Sequence, residues 1–326
     1  MKRREFIKLL CGAVVTCPLA ARAQQVEGVR RVGVLMNLSS EDSEGQARFV
    51  ALVKELAHLG WNVGRNVQID VRWAAGEAER YRSYAAELVA LSPDILLGMN
   101  ASSVRAFRQA TRNIPIVFAG VSDPVGAGFV EALDHPGGNT TGFMIFEYGM
   151  AGKWLQLLKE VAPSITRVGV IRDSTVVAAI GQFGAIQAMA PSLGIDLRAI
   201  DAREIERGVP TFARQPNGGL IVLTGAYAQV HRGLIVTLAA RHKLPAVYWQ
   251  RLFVTSGGLL SYGPDLVDQS RQAASYVDRV LKGEKPADLP VQTPTRYDLS
   301  INLRTAKALG LIIPPSVLTS ADKVIE

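Results

Sequence analysis

Cysteine is nearly absent from this chain of 326 residues, and what there is lies at one end. Cys11 and Cys17 are the two cysteines, and both precede residue 24. If residues 1–23 are removed, the remaining chain has no disulfide, no thiol nucleophile and no cysteine metal site. A chain of about 300 residues can dispense with disulfides, because it buries enough apolar surface to be stable without them.

The usual catalytic and cofactor motifs are missing as well. The sequence contains no phosphate-binding loop, no Gly-x-Gly-x-x-Gly after a lobe's first strand and no Gly-x-Ser-x-Gly elbow. Its four histidines are scattered, and none has zinc-protease spacing. We therefore expect no catalytic residue, no metal and no cofactor. A carboxylate pair among the many Asp and Glu residues remains open, so an exported two-lobed enzyme acting on a small metabolite is the alternative function.

Long apolar runs are also lacking, and the one apolar stretch near the start fits an export signal. Basic residues at positions 2–4 precede the short apolar stretch 9–19, and an Ala-Arg-Ala cleavage signal ends at Ala23. A spanning helix needs about 20 apolar residues. We predict a signal peptide over 1–23, cleaved after Ala23, and a periplasmic product. The run 3–8 resembles a twin-arginine signal, while an ordinary Sec signal stays open and a lipoprotein fits less well.

More than half of the excess positive charge lies in the leader. The whole chain carries a formal net charge of +7, and residues 1–23 contribute five basic residues against Glu5, or +4. The remaining chain has a net charge of +3, which argues against a nucleic-acid partner.

Short apolar strands alternate with amphipathic helices through the rest of the chain. Strands are predicted at 32–36, 67–71, 94–98 and 115–118. The helix after the first strand is predicted to bury one face, made of Phe49, Val50, Val53, Leu56 and Ala57. Continuous apolar strands separated by helices predict an α/β fold with a doubly wound parallel sheet.

The pattern then repeats in the same order. RVGVL at 31–35 returns as RVGVI at 167–171, DILLG at 94–98 as GLIVL at 219–223, and IPIVF at 114–118 as LPAVY at 244–248. Three repeated segments in the same order predict two similar Rossmann-like lobes.

Three Gly- and Pro-rich segments are predicted to cross between the lobes, at 135–142, 257–264 and 285–290. Lobe one is then 28–140 with about 260–285, and lobe two is 141–258 with about 286–326. Two lobes joined by several crossings form a hinged clamshell with a cleft between them.

Several runs resemble the substrate-binding proteins of the tryptophan/tyrosine-type ABC importer family. They are SDPVG at 122–126, PGGNTTG at 136–142, GLLSYG at 258–263, residues 276–290, and INLRTAKALGL at 301–311 followed by IPP at 313–315. The resemblance implies a type I periplasmic-binding-protein fold and delivery of a small solute to an ABC permease and its ATPase. Contact with the inner membrane would then occur only through the permease.

Ligands of open α/β sheets bind beyond the carboxyl ends of the strands, and polar residues follow those ends here. The predicted ligand-binding residues are Asn37, Ser39, Asn100, Ala101, Ser102, Ser122, Asp123, Asp173, Ser174, Thr224, Gly225 and Tyr248.

Each of these positions has an alternative, structural role. The Ser, Thr and Asn residues can cap helices, and helix N-termini also favour a carboxylate ligand. Asp123 can pair with a ligand ammonium or form a turn before Pro124, and Tyr248 can stack on a planar ligand or pack in the core. Arg105, Arg108 and Arg112 are expected on a solvated helix face.

The function predicted from these features is capture of a small amino-acid-like solute or other small carboxylate for an ABC importer. A cytoplasmic sensor related to sugar-responsive repressors fits less well, because a leader is present and no DNA-binding segment precedes residue 31.

Overall fold

The computed structural model describes residues 28–145 and 148–326. The predicted signal peptide lies outside these residues. The first half of the fold contains β1 (Arg30–Met36), α1 (Ser43–His58), β2 (Val67–Trp73), α2 (Ala78–Ala90), β3 (Ile95–Gly98), α3 (Ala101–Ala110), β4 (Ile116–Val121) and β5 (Thr140–Met144).

The second half begins with α4 (Met150–Val161), β6 (Arg167–Arg172), α5 (Val177–Met189), β7 (Asp196–Asp201), α6 (Ile205–Phe212), β8 (Gly218–Val222), α7 (Ala226–Val230), α8 (Arg232–Arg241), β9 (Ala246–Tyr248) and α9 (Arg251–Thr255). It continues with β10 (Leu260–Gly263), α10 (Leu266–Leu281), β11 (Asp298–Asn302), α11 (Leu303–Ala308), α12 (Pro315–Thr319) and β12 (Lys323–Ile325).

The strands form two sheets, which confirms the predicted α/β class with two Rossmann-like lobes. The first sheet has the order β2-β1-β3-β4-β5, with every pair parallel. The second has the order β12-β11-β10-β9-β8-β6-β7, and it is parallel except between β10 and β11. The strands next to the topological switch point, β1, β3 and β4 in one lobe and β6, β8 and β9 in the other, end at the cleft.

Helices cover both faces of the first sheet because its strands are apolar on both sides. Leu52 and Leu56 of α1, with Ala273 and Val277 of α10, pack on one face. The other face is covered by α2 and α3, through residues such as Leu88. The late helix α10 thus completes the first lobe although it follows most of the second lobe in sequence.

The buried face of α1 differs from the prediction. The structure buries Gly45, Arg48, Leu52 and Leu56, whereas Val50 is 43% exposed. The helix is rotated relative to the prediction, so that an arginine lies in its buried stripe between Gly45 and Leu52.

The pairing of the strands also differs from the predicted lobe boundaries. β5 starts at Thr140 and closes the first sheet, so the chain first leaves that sheet after Met144. β10, at the start of the predicted lobe-one segment 260–285, belongs to the second sheet. The predicted crossing 285–290 stays with the first lobe, since Leu289 is fully buried in its core and Gln292 pairs with β5. The chain turns to β11 only after Gln292.

Candidate functional site

A cleft lies between the two sheets, at the carboxyl ends of strands from both. It holds about 670 Å³ of space, including its open mouth. The first sheet contributes the residues after β1, β3 and β4, and the second contributes those after β8 and β9 together with the start of α5.

Eight of the twelve predicted residues lie together in the wall of this cleft. They are Asn37, Asn100, Ala101, Ser102, Ser122, Asp123, Thr224 and Gly225. Two of them meet across the cleft, because the Ser122 hydroxyl donates to the Thr224 hydroxyl at 3.5 Å.

The other four predicted residues lie elsewhere. Ser39 is exposed outside the cleft wall. Asp173 accepts hydrogen bonds from the backbone N–H and the hydroxyl of Thr175, and Ser174 is exposed and donates to Asp201. Tyr248 is 1% exposed and stacks on Phe253 at 4.9 Å between ring centroids. Tyr248 therefore packs in the core of the second lobe, and its neighbour Trp249 lines the cleft instead.

The start of α3 faces the cleft with its cap already formed. Asn100 accepts from the backbone N–H of Ser103 at 2.9 Å, and the Ser103 hydroxyl accepts from the N–H of Asn100 at 3.1 Å. The Asn100 amide also donates to the Tyr81 hydroxyl at 3.0 Å. Its side chain is thus used to hold the helix, while the first turn of α3 presents backbone N–H groups and the positive end of the helix dipole to the cleft.

Asp123 forms a turn and a link to the start of the second lobe. One carboxylate oxygen accepts from the backbone N–H of Gly126 at 2.8 Å. The other accepts from the hydroxyl of Tyr148, just before α4. Burial, and then the neighbouring Asp123, raise the pKa of Tyr148 above its ordinary value, so this phenol keeps its proton and donates.

These contacts predict that Asp123 acts mainly as a hydrogen-bond acceptor, and that its negative charge contributes little to solute binding. Asp123→Asn keeps the oxygen that accepts from Gly126, so affinity for a bound solute should stay within about twofold of wild type. Asp123→Ala loses both bonds and should lower the free energy of unfolding by about 1–2 kcal/mol. Melting curves and titration calorimetry measure the two effects, with Tyr148→Phe as the control that removes only the hydroxyl. Abolished binding in Asp123→Asn with an unchanged melting temperature would indicate direct contact with a ligand ammonium.

Side chains from the two lobes also join beside the cleft. The Asn37 amide donates to Gln229 at 2.6 Å, Gln229 donates to Gln250 at 2.7 Å, and Gln250 donates to Glu44 at 3.2 Å. Asn37 and Glu44 belong to the first lobe, and the two glutamines belong to the second. This amide relay connects the lobes twice, in the closed form that the structure describes.

An ion pair joins the lobes next to the relay. Arg232, at the start of α8, lies 2.6 Å from a carboxylate oxygen of Asp42. The other oxygen of Asp42 caps α1 by accepting from the N–H groups of Glu44 and Gly45. The cap therefore holds Asp42 in position for the other lobe.

Arg48 is a cleft residue that lies outside the residues predicted from the sequence. It is 2% exposed, it lines the cleft, and its Nε donates to Glu44 at 3.2 Å. Burial lowers the pKa of its guanidinium below the ordinary value, and Glu44 opposes this shift. Its position four residues before Leu52 in the buried stripe of α1 is the signal that could have identified it. Arg105, expected on a solvated face, is exposed at the rim of the same cleft.

Apolar side chains complete the wall, among them Met99, Ile145, Val176, Leu266 and Trp249. The cleft thus combines a few placed polar groups with an apolar surface, which suits a solute that has a charged end and an apolar body. Within the described ranges, no group of three or more His, Cys, Asp or Glu side chains is arranged to hold a metal ion.

The family profile described as "ABC transporter substrate binding protein" matches residues 28–325. That match spans both lobes and the cleft. The chain belongs to the ABC transporter substrate-binding proteins.

Two relatives of this substrate-binding protein have informative names. A curated tyrosine-binding protein from Clostridioides difficile (strain R20291) is 28% identical over 269 residues, covering 79% of this chain and 75% of the relative. A solved ABC domain in complex with L-Trp from Streptococcus pneumonia is 27% identical with a TM-score of 0.84, covering 91% of this chain and 99% of the other.

A third relative superposes less well, although its identity and coverage are almost the same. The ligand-free, open structure of a substrate-binding protein with adhesive properties from Clostridium difficile is 26% identical at the same coverage, 91% and 99%, but its TM-score is 0.68. The substrate-binding protein described here thus superposes better on the L-Trp complex than on an open form. This agrees with the contacts that close its cleft.

One further property concerns the membrane. Among the helices that the structure describes, none is both long and apolar enough to cross a bilayer.

Proposed function

We propose that this substrate-binding protein captures a small amino-acid-like solute, or another small carboxylate, and delivers it to the permease and ATPase of an ABC importer. The observation that carries the proposal is a cleft wall in which the first turns of α3 and α5, from opposite lobes, meet an apolar surface. Helix N-termini favour a carboxylate, and the apolar wall accommodates a side chain. The names of the tyrosine-binding and L-Trp-bound relatives support the same solute class.

The proposed place of work is the periplasm, after cleavage of the leader at Ala23. The family membership supports an extracytoplasmic role, and the basic and apolar regions of residues 1–23 support export. Contact with the inner membrane is then made through the permease alone.

The proposed role also implies that the solute leaves the cleft chemically unchanged. Several polar groups of the wall, such as the Asn100 cap and the Asp123 turn, hold helices and lobes together. Recovery of the intact solute after prolonged incubation distinguishes this role from the exported enzyme.

A ligand screen tests the proposal. Purified residues 24–326 are melted in the presence of each of the twenty L-amino acids and a set of small carboxylates, with sugars as uncharged controls. A solute present at 100 times its Kd stabilises the folded form by about 2.7 kcal/mol, so the melting temperature should rise by several degrees. Mass spectrometry of the released solute should give an unchanged mass. Stabilisation by a sugar alone would contradict the proposed solute class.

A further inference from the structure

The amide relay has a fixed direction, set by its last member. Glu44 is a carboxylate and can only accept, so Gln250 must turn its NH₂ group toward Glu44. The Gln250 oxygen then accepts from Gln229, and the Gln229 oxygen accepts from Asn37. Each amide orientation thus follows from the one before it.

The relay therefore leaves an acceptor at its other end. Asn37 uses its NH₂ group on Gln229, so its Oδ1 atom faces away from the relay and has no hydrogen-bond partner among the residues that the structure describes. Asn37 is 2% exposed and lines the cleft. If the Asn37 amide were turned by 180°, its oxygen would face the oxygen of Gln229. Restoring the hydrogen bonds would require Gln229 and Gln250 to turn as well, and the Gln250 oxygen would then face the Glu44 carboxylate.

A donor lies unpaired in the same cleft wall. The Nη2 atom of Arg48 is buried and has no hydrogen-bond partner within 28–145 and 148–326. The Nε atom of the same guanidinium donates to Glu44, the carboxylate that also ends the relay. Asp42, the N-cap of α1, already pairs with Arg232. A buried donor that belongs to a charged group costs free energy when it has no hydrogen-bond partner.

We propose that the solute is an α-amino acid bound as its zwitterion, with its carboxylate accepting from Arg48 Nη2 and its ammonium donating to Asn37 Oδ1. This inference rests on the proposed function and narrows its solute class. A cationic donor and a neutral acceptor, both buried in one wall, match the two charged groups of a zwitterion. The apolar residues of the wall, such as Trp249, then face the side chain of the solute.

Asp123 is the competing partner for the ammonium, and its contacts favour Asn37. Both Asp123 oxygens already accept a hydrogen bond, from Gly126 and from Tyr148. Asn37 Oδ1 accepts none. A neutral acceptor also suits a zwitterion, because the net charge of a zwitterion is zero. When no solute is bound, the site then contains no unpaired buried carboxylate at this position.

The first test of the inference uses the wild-type chain, without any substitution. The amino acid that binds most tightly in the screen is compared with the amine that lacks its carboxylate and with the acid that lacks its ammonium. For L-tryptophan these probes are tryptamine and indole-3-propionate. Each probe should bind at least tenfold more weakly than the amino acid, because each leaves one buried group unpaired.

Two variants then assign each end of the solute to its residue. Arg48→Gln should weaken the amino acid at least tenfold and leave the affinity for the amine within about threefold of wild type. Asn37→Ala also loses the interlobe bond to Gln229, which weakens every solute alike, so it should weaken the amino acid at least tenfold more than it weakens the acid. Arg72→Gln, which removes the same charge from the same lobe outside the cleft wall, is the matched control and should bind as wild type does.

Each outcome decides between the proposals. An amino acid that binds the wild-type chain and Arg48→Gln equally, or a wild-type chain that binds the amine as well as the amino acid, overturns this inference and leaves the proposed function in place. A screen in which no amino acid binds overturns the inference and the amino-acid part of the proposed function together. If Arg48→Gln fails to fold in a melting curve, the comparison of the three probes on the wild-type chain still decides.

Discussion

Gly263→Ala should both destabilise the protein and weaken its ligand binding. Gly263 ends β10, and a Cβ atom at this position would lie 1.8 Å from the carbonyl oxygen of Trp249. The clash is with backbone, so it can be relieved only if the end of β9 moves away from β10. An overpacked site of this kind costs about 3 kcal/mol, which lowers the melting temperature by roughly 6–12 °C.

The same movement reaches the cleft, because Trp249 lines it and Gln250 belongs to the amide relay. We therefore expect weaker solute binding in Gly263→Ala even where the protein is still folded, as measured by calorimetry well below the melting temperature. Gly184→Ala in α5 is the matched control. No atom lies within 4 Å of a Cβ at Gly184, so alanine should leave stability unchanged or raise it by about 0.5–1 kcal/mol. Equal melting of the two variants would show that the end of β9 yields without cost.

Arg232→Met should shift the substrate-binding protein toward an open form. The ion pair of Arg232 with Asp42 exists only when the lobes touch, and both side chains are mostly buried there, with 21% and 8% exposed. Its loss lowers the population of the closed form, and the apparent affinity falls in proportion. We expect roughly tenfold weaker binding, together with a larger radius of gyration for the ligand-free chain in small-angle X-ray scattering.

Methionine keeps the apolar stem of the side chain, so packing within the second lobe is retained. Arg207→Met is the control, since Arg207 pairs with Glu204 on the surface of one lobe. That variant should scatter and bind as wild type does. An unchanged radius of gyration and affinity in Arg232→Met would show that the lobes close without help from this pair.

The sequence was sufficient to predict the sheets, because buried parallel strands have continuous apolar runs. The predicted strands 32–36 and 67–71 lie within β1 and β2, and the repeated pairs occupy corresponding strands of the two sheets. The polar residues that follow these strands converge because parallel strands end at the same edge. Residues such as Ser122 and Thr224 could therefore be assigned to one cleft without a structure.

The crossings between the lobes could not be predicted in the same way. Pro and Gly mark where the chain turns, but they do not indicate which lobe a turn packs against. The segment 285–290 fits a linker by composition, yet Leu289 is buried in the core of the first lobe and Thr141 donates to its carbonyl oxygen. That choice depends on contacts between residues about 150 positions apart.

Arg48 and Tyr248 illustrate the same limit within the site. Tyr248 is the last residue of β9 and is buried in the core, whereas Trp249 follows the end of the strand and lines the cleft. Arg48 comes in the second turn of a helix, away from any strand end, and only the rotation of α1 brings it to the cleft. One charged residue in an apolar stripe is usually interpreted as an irregularity of the pattern, although an arginine is almost never fully buried unless it has a partner.

The amide relay passes from the first lobe to the second and back, and this arrangement affects the stage of binding at which solutes are distinguished. Its bonds from Asn37 to Gln229 and from Gln250 to Glu44 both cross the cleft, so water replaces both when the lobes separate. The Asn37 amide is then free to rotate, and it offers a passing molecule an N–H as readily as an oxygen. First encounter is therefore permissive at the ammonium end of the solute, and discrimination there happens during closure. A partner that holds the lobes apart removes this part of the selectivity, while Arg48 keeps its place beside Glu44.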